Sequence, residues 1–216
     1  MIEEIDNISR EELLDFFYLQ ARVLADHRPE RGPMRVLHVI SETEDNIGSN
    51  LERAVQLMHG GFADYLGICD SPLGFGYKGY DDTIERLQSL GWQSQDRVAK
   101  IQVGKPFNTM TEVQALVAWA NERGGDIGIV APALHLLRAF MTTVSAARGK
   151  FTRIYAYTGT SLSWDGEALH SQGGLKATRK GLLAEELGRL KKYQGQEFGG
   201  LMTPRGVLAY LDRRDS

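Results

Sequence analysis

The chain has 216 residues, of which 42% are hydrophobic and 25% are charged, and this composition is typical of a globular protein built around one α/β domain. Its net charge of −3 gives no general attraction to nucleic acid or to an anionic membrane, so we expect neither as a partner. The single cysteine, Cys69, excludes an internal disulfide framework and a zinc site built from cysteines.

The N-terminal segment predicts one amphipathic helix. Ser9 and Glu12 have the spacing of a capping box, and apolar residues recur at near-helical intervals after them, which predicts a helix over about 9–26. The sequence "HRPERGP" then ends it, so residues 1–33 form an N-terminal helical segment. The acidic start lacks the basic and apolar regions of a signal peptide, and no apolar run approaches about 18 residues, so we expect a cytoplasmic protein.

Residues 34–159 alternate between strand and helix patterns. Short apolar runs rich in branched residues predict strands, and amphipathic segments between them predict helices. The predicted strands lie at 34–41, 63–70, 98–103, 126–132 and 151–159. Parallel strands need crossover connections of this kind, so the core is predicted to be α/β: a Rossmann-like three-layer α/β/α fold with a mostly parallel five-stranded sheet.

Residues 160–216 have a different character. A polar loop, "TSLSWDGEALHSQGG", leads to a predicted helix near 178–193. Thr203 as cap and Pro204 at the first helical position predict a last helix. We expect this C-terminal loop and helical extension to pack on the core.

The carboxyl ends of the predicted strands carry most of the candidate ligand-binding residues, because ligands of open parallel sheets bind there. The segments at these ends are "SETEDNIGSN", "CDSPLGFGY", "GKPFNTMTE", "APALHLLR" and "TGTSLSWDG". Ser41 in the first segment and Asp70 and Ser71 in the second are therefore predicted ligand-binding residues. The glycine-rich "LGFGYKGY" matches neither the dinucleotide fingerprint nor the P-loop and predicts a flexible lid.

The helix that begins near "ALHLLRAF" carries a histidine and an arginine close to its start. His135, Arg138 and Thr142 share a strip on one flank of its leucine-rich arc. An anion there would gain from the helix N-terminus, and Arg138 could grip a phosphate or carboxylate with two hydrogen bonds. A positive helix end favours neutral imidazole, so we expect His135 to act as a base or donor. The alternative is a surface arginine and a histidine satisfied by a neighbouring carbonyl.

The stretch "PFNTMTE" supplies a second set of candidates. Thr109 and Glu112 have the spacing of a capping box, which accounts for both residues structurally. Asn108 is not needed for that cap, and it faces the cleft if the preceding strand ends near Val103.

Other reactive residue types have simpler structural explanations. The acidic turn "SETED", which includes Glu42, could hold Mg²⁺ but is more typical of a solvated helix start, and we expect no metal. Cys69 is expected to be buried in its strand, and His38 to be a hydrogen-bonded core residue. The basic run that includes Arg179 predicts a solvated helix face.

Together these segments resemble the YdcF/SanA/ElyC family, the domain of unknown function 218, of which this chain would be a divergent soluble member. The matching positions are Asn108, Thr109, Glu112, His135, Arg138 and Ala139. The chain departs from the family at "CDSP" and "SETEDNIGSN", where the family has glycine-rich turns. The resemblance implies a Rossmann-like fold and a cleft for a nucleotide-like or anionic small molecule.

Two functions from different classes are compatible with these residues. The first is binding of a small anionic ligand, phosphorylated or nucleotide-like (S-adenosylmethionine included), with group transfer or hydrolysis. There His135 and Glu112 would be catalytic, and Asn108, Thr109 and Arg138 would bind the ligand. The alternative is a non-catalytic sensor or adaptor that signals through its C-terminal helices. The sequence leaves the cofactor and the oligomeric state open.

Overall fold

The computed structural model describes residues 8–26, 32–71, 73, 74, 76–150, 152–170, 174–194 and 200–216. Within them, five strands form one parallel sheet in the order β3-β2-β1-β4-β5, which confirms the predicted Rossmann-like α/β architecture. These strands are β1 (Met34–Val39), β2 (Ala63–Asp70), β3 (Val98–Gln102), β4 (Ile127–Ala131) and β5 (Ile154–Thr158).

Helices connect the strands and cover both faces of the sheet. They are α1 (Arg10–Leu24), α2 (Glu44–His59), α3 (Tyr80–Ser89), α4 (Thr109–Arg123), α5 (Ala133–Ala146), α6 (Arg179–Tyr193) and α7 (Pro204–Asp215). The polar loop predicted after β5 contains a short antiparallel ribbon, formed by β6 (Glu167–Leu169) and β7 (Lys176–Thr178). None of the described helices combines the length and the apolar composition that a bilayer span requires.

The two faces of the sheet build two apolar cores. Because β1 and β4 are covered on both sides, nearly every residue of these strands is buried, as parallel strands require. On one face Leu37 and Leu66 pack against α2 and α3. On the other face Val36 and Phe140 belong to a core that includes α1, α4, α5 and α7.

The terminal segments are tied to the edge of the sheet by a buried ion pair. Asp26, just after α1, pairs with Arg214 of α7 at 2.6 Å, and both side chains are buried. A carboxylate oxygen of Asp26 also accepts a hydrogen bond from the backbone N–H of Ala156 in β5. The pair therefore satisfies a backbone donor on an edge strand that would otherwise face outward.

The structure corrects the predicted start of α2. The sequence predicts "SETEDNIGSN" as a candidate ligand-binding segment at the end of β1, whereas α2 already begins within it at Glu44, with Thr43 as the extended N-cap residue. Glu44 and Asp45 then lie in the first turn, where their negative charge stabilises the helix terminus. Most of the segment predicted as a ligand-binding loop after β1 is therefore helix.

The structure also corrects the predicted cap of α4. Asn108, not Thr109, is the N-cap: its side chain accepts a hydrogen bond from the Thr111 N–H at 3.0 Å, and Thr111 completes the capping box by accepting from the Asn108 N–H. The expectation that Asn108 is not needed for the cap is therefore wrong, because its side-chain Oδ1 atom is the capping acceptor.

Replacing Asn108 by alanine is expected to lower the free energy of unfolding by about 1 kcal/mol, because the cap of α4 is lost. Thr109→Ala should cost less, because among the described residues the side-chain oxygen of Thr109 makes one contact, with Arg138 at 3.3 Å. Urea denaturation of both variants checks the order. A larger loss for Thr109→Ala would mean that Thr109 is the cap after all.

Candidate functional site at the switch point of the sheet

The chain reverses its winding between β1 and β4, which are neighbours in the centre of the sheet. The helix after β1 is α2 on one face, and the helix after β4 is α5 on the other face. The carboxyl ends of two such strands open a crevice, which is where open α/β sheets bind ligands. Glu42, which follows β1, and His135, in the first turn of α5, meet at this point.

His135 and Glu42 form a buried carboxylate–imidazole pair. The Nδ1 atom of His135 contacts the Oε1 atom of Glu42, and both side chains are at least 95% buried. A carboxylate only accepts hydrogen bonds, so Nδ1 is the donor in this pair, and in the neutral imidazole the lone pair then lies on Nε2. Nε2 has no hydrogen-bond partner among the described residues. A carboxylate behind an imidazole with a free Nε2 is the arrangement that prepares a histidine to accept a proton.

A small polar cavity lies beside this pair. Glu42, Asn46, His135, His170 and Glu186 line it, and leucine side chains of α5, β6 and α6 complete its wall. The centre of a water molecule can occupy about 10 Å³ of this cavity. That is room for roughly one water. Its polar lining supplies the several hydrogen-bond partners that a buried water needs.

The helical wheel places Arg138 on a strip at one flank of α5. In the structure this flank is covered, and Arg138 is buried. Its Nε and Nη2 atoms donate to the two carboxylate oxygens of Glu186 at 2.6 and 3.1 Å. His170 contacts the same carboxylate at 2.6 Å, and a third nitrogen of Arg138 reaches Thr109 at 3.3 Å. The guanidinium therefore already holds a carboxylate of its own chain, and its predicted role as an anion ligand stays a prediction.

The Arg138–Glu186 pair also fixes the charges of the two side chains. Burial by itself would raise the pKa of Glu186, but the guanidinium of Arg138 and the hydrogen bond with His170 hold that pKa well below its usual range. Burial would lower the pKa of Arg138, but Glu186 more than compensates and raises it. The pair is consequently ionised, and the positive charge predicted for this helix mouth is balanced by Glu186.

The C-terminal extension is the reason that this flank of α5 is covered. The ribbon docks on the start of α2: the Leu169 N–H donates to the side chain of Asp45, and the Leu169 carbonyl accepts from Thr43. Arg179, predicted on a solvated face, is buried and donates to the side chain of Asn46 at 3.0 Å. Local sequence patterns do not predict these contacts, because the residues that make them lie far apart in the chain.

A larger cleft opens next to the buried pair, at the carboxyl ends of β4 and β5. Its volume is about 280 Å³, which is at the lower end of the range for small-molecule sites. We call it the α5 cleft; it is lined by Pro132, Ala133, Leu134, Thr158–Leu162, Trp164 and Arg179. The side chain of Leu134 borders both the cleft and the small cavity beside His135.

The N-terminus of α5 forms one wall of this cleft. Its N-cap is Pro132, which offers no side-chain hydrogen bond to the helix. The first helical hydrogen bonds run from the backbone N–H groups of His135 and Leu136 to the Pro132 carbonyl, so those of Ala133 and Leu134 precede them. A helix terminus of this kind favours an anion.

Glu112 supports the end of β1 and does not cap α4. Its Oε1 atom accepts from the backbone N–H and the hydroxyl of Ser41, and it contacts His38 Nε2, all at 2.9 Å. The prediction that His38 is a hydrogen-bonded core residue is confirmed, and the capping role predicted for Glu112 is wrong. Because Ser41 precedes Glu42, Glu112 fixes the backbone that presents Glu42 to His135.

Asp70 and Ser71 lie farther along the same edge. Asp70 accepts a hydrogen bond from the side chain of Gln102 at 2.6 Å and pairs with Lys100 at 3.2 Å, so both of these contacts are with β3. Cys69 before it is buried, as predicted, and burial, together with the charge of Glu112, raises its pKa to about 12. The thiol is therefore protonated at neutral pH, which makes it a poor nucleophile.

The glycine-rich loop predicted as a lid packs in part on the core. Tyr77 is buried, and its hydroxyl donates to the Cys69 carbonyl at 2.7 Å. Pro72 and Phe75 of the same loop lie outside the described residues.

In the part of the chain that the structure describes, no three His, Cys, Asp or Glu side chains converge to hold a metal ion. At the switch point the described residues place a histidine with a carboxylate partner, a helix terminus and two buried guanidinium groups. Comparison with protein-family models, curated proteins and solved structures finds no match.

Proposed function

We propose that this protein binds a small anionic ligand, phosphorylated or nucleotide-like, at the carboxyl edge of its sheet and hydrolyses it. The observation that carries the proposal is the Nε2 atom of His135. It is buried and has no hydrogen-bond partner among the described residues, and His135 lines a cavity with room for about one water. A buried polar atom without a protein partner is costly in a folded protein unless a water or a ligand reaches it.

The position of the pair supports binding of an anion. Ala133 and Leu134, the first two residues of α5, line the α5 cleft and precede His135 in the chain. An anionic group at a helix N-terminus typically gains about 0.3–1 kcal/mol, and up to about 2 kcal/mol when partly buried. The resemblance to the YdcF/SanA/ElyC family favours the same class of ligand.

The proposed reaction uses one water. His135 Nε2 takes a proton from a water in the small cavity, and the water oxygen attacks the electrophilic phosphorus or carbon of the bound ligand. Glu42 stabilises the imidazolium that forms, and His135 then returns the proton to the leaving group. Glu112 acts through Ser41 by holding the end of β1 in place, so it is a positioning residue in this scheme.

The second candidate is a sensor or adaptor that binds the same ligand without turning it over. One observation favours it: the cavity beside His135 is closed on one side by β6 and α6, and Arg138 is held by Glu186. A site covered in this way would suit a protein whose C-terminal segment moves when the ligand binds.

A panel of compounds separates the candidates. Phosphate monoesters, nucleoside monophosphates, nucleoside triphosphates and S-adenosylmethionine are tested for binding by isothermal titration and for turnover by phosphate release and chromatography. Hydrolysis predicts steady release of product from at least one compound. Saturable binding with no product favours the sensor, and no binding to any compound at millimolar concentration contradicts both.

A further inference from the structure

Arg179 differs from the other buried arginines in its partners. Its Nε, Nη1 and Nη2 atoms donate to the Asn46 side chain, the Ser163 carbonyl and the Asp45 carbonyl at 3.0, 3.2 and 2.7 Å. All three acceptors are neutral, and the described residues place no carboxylate in an ion pair with it. A guanidinium has five N–H donors, so two remain beyond these bonds.

A buried cation without a counter-ion is unfavourable unless an anion reaches it. Arg138 and Arg214 each have a buried carboxylate as partner. Arg179 instead lines the α5 cleft, which is large enough to admit a partner from solution. The side chain is 92% buried by its own chain, so its orientation toward the cleft is fixed rather than adopted on binding.

Two positive groups therefore face the same cleft. Pro132, Ala133 and Leu134 at the N-terminus of α5 line the cleft, and no acidic residue lies in the first turn of this helix. A helix terminus and a guanidinium that point at one space form the usual recognition site for a phosphate or carboxylate. Glu52 lies near the rim of the cleft, and its carboxylate accepts a hydrogen bond from the hydroxyl of Thr160 at 2.9 Å.

An indole ring completes the lining of the cleft. Trp164 lies in the loop before β6 and is 44% exposed, and Leu162 lies beside it in the same lining. A half-exposed indole at a small-molecule cleft offers a flat apolar surface on which a planar ring can stack. Its volume of about 280 Å³ is compatible with a ligand of the size of a mononucleotide.

We propose that the α5 cleft binds the phosphate of a nucleoside monophosphate between Arg179 and the N-terminus of α5, with the base stacked on Trp164. This assignment rests on the proposed function and names its ligand class and the residues that hold it. Arg179 takes the role of anion ligand that the sequence predicts for Arg138.

The test is calorimetric titration of AMP, adenosine and inorganic phosphate into the wild-type protein and three variants. AMP is expected to bind more tightly than either fragment. Arg179→Gln should weaken AMP and phosphate by about tenfold or more and leave adenosine unchanged, because it removes a charge-assisted contact. Trp164→Ala should weaken AMP and adenosine by about fivefold or more and leave phosphate unchanged.

Lys180→Gln is the matched control, because it removes the same unit charge from the neighbouring exposed residue. It should leave all three affinities unchanged. Arg179 also donates a hydrogen bond to Asn46, so Arg179→Gln could fail to fold. In that case Trp164→Ala, which changes a half-exposed side chain, still tests the site.

The outcomes separate this inference from the proposed function. An affinity for AMP that is unchanged in both Trp164→Ala and Arg179→Gln overturns the inference. Hydrolysis of any panel compound would still support the proposed function in that case. Equal losses for Lys180→Gln and Arg179→Gln also overturn it, because the effect would then be one of net charge. No binding of AMP to the wild-type protein overturns it as well.

Discussion

Replacing Glu186 by glutamine is expected to lower the free energy of unfolding by about 3–5 kcal/mol, the usual cost of leaving one buried charge without its partner. The reason is the two-point contact with Arg138, whose side chain is 2% exposed. Arg138→Met should destabilise by a similar amount, because it leaves the carboxylate buried. The double variant Arg138→Met with Glu186→Leu should recover much of the loss, since no unpaired charge remains.

Urea denaturation at neutral pH measures these changes. The control is Arg205→Ala, which breaks an ion pair on the protein surface, where such pairs contribute little or nothing. A loss for Glu186→Gln no larger than that of the control would show that α6 does not dock on α5 as described.

The effect of Glu186→Gln should depend on pH in one direction. Because the folded-state pKa of Glu186 lies well below its value in the unfolded chain, the charged carboxylate contributes its full stability above about pH 5. As the pH falls below about 4, the unfolded chain takes up a proton that the folded protein does not, and this contribution decreases. Glutamine does not titrate, so the difference between wild type and variant should shrink. A difference that stays constant down to pH 3 would contradict the ionised pair.

Glu42→Gln is expected to reduce turnover of any hydrolysed panel compound by about 10²–10⁴-fold. A carboxamide in place of Glu42 can donate to Nδ1, which would stabilise the tautomer with the proton on Nε2 and remove the base. His135→Gln should give a loss of similar size, and the double variant should be no worse than either single one, because the two residues act as a unit.

His59→Gln is the matched control for these variants, because it makes the same exchange at an exposed histidine. It should leave turnover unchanged. Binding of the ligand should persist in Glu42→Gln, since the proposed role of the pair is proton transfer. Full activity in Glu42→Gln, with the protein folded, would contradict that role.

The layout of the sheet follows from local sequence patterns. Strands such as β4 are short continuous apolar runs, and the helices between them bury one face, so both are visible within a window of a few residues. The parallel orientation of the strands follows because parallel neighbours need a crossover connection, which the helices supply. The start of a helix does not follow from local patterns alone: Asn108 and Thr109 are both good caps, and only the backbone conformation decides between them.

The candidate site was predictable only in part. His135 lies where the sequence predicts it, at the start of a helix after a central strand. Its partner Glu42 is 93 residues away, and Glu186 follows Arg138 by 48 residues. No periodicity connects residues so far apart. The exposed strip predicted for Arg138 fails for the same reason, since a helical wheel cannot show that a later segment will cover one flank.

The most direct test concerns the nitrogen atoms of His135. A long-range ¹H–¹⁵N NMR spectrum, assigned by comparison with His135→Gln, reports which ring nitrogen is protonated. The account predicts a proton on Nδ1, a bare Nε2, and a shift of the Nε2 signal when AMP is added to saturation. A proton on Nε2, or an Nε2 signal unmoved by a bound ligand, would contradict it.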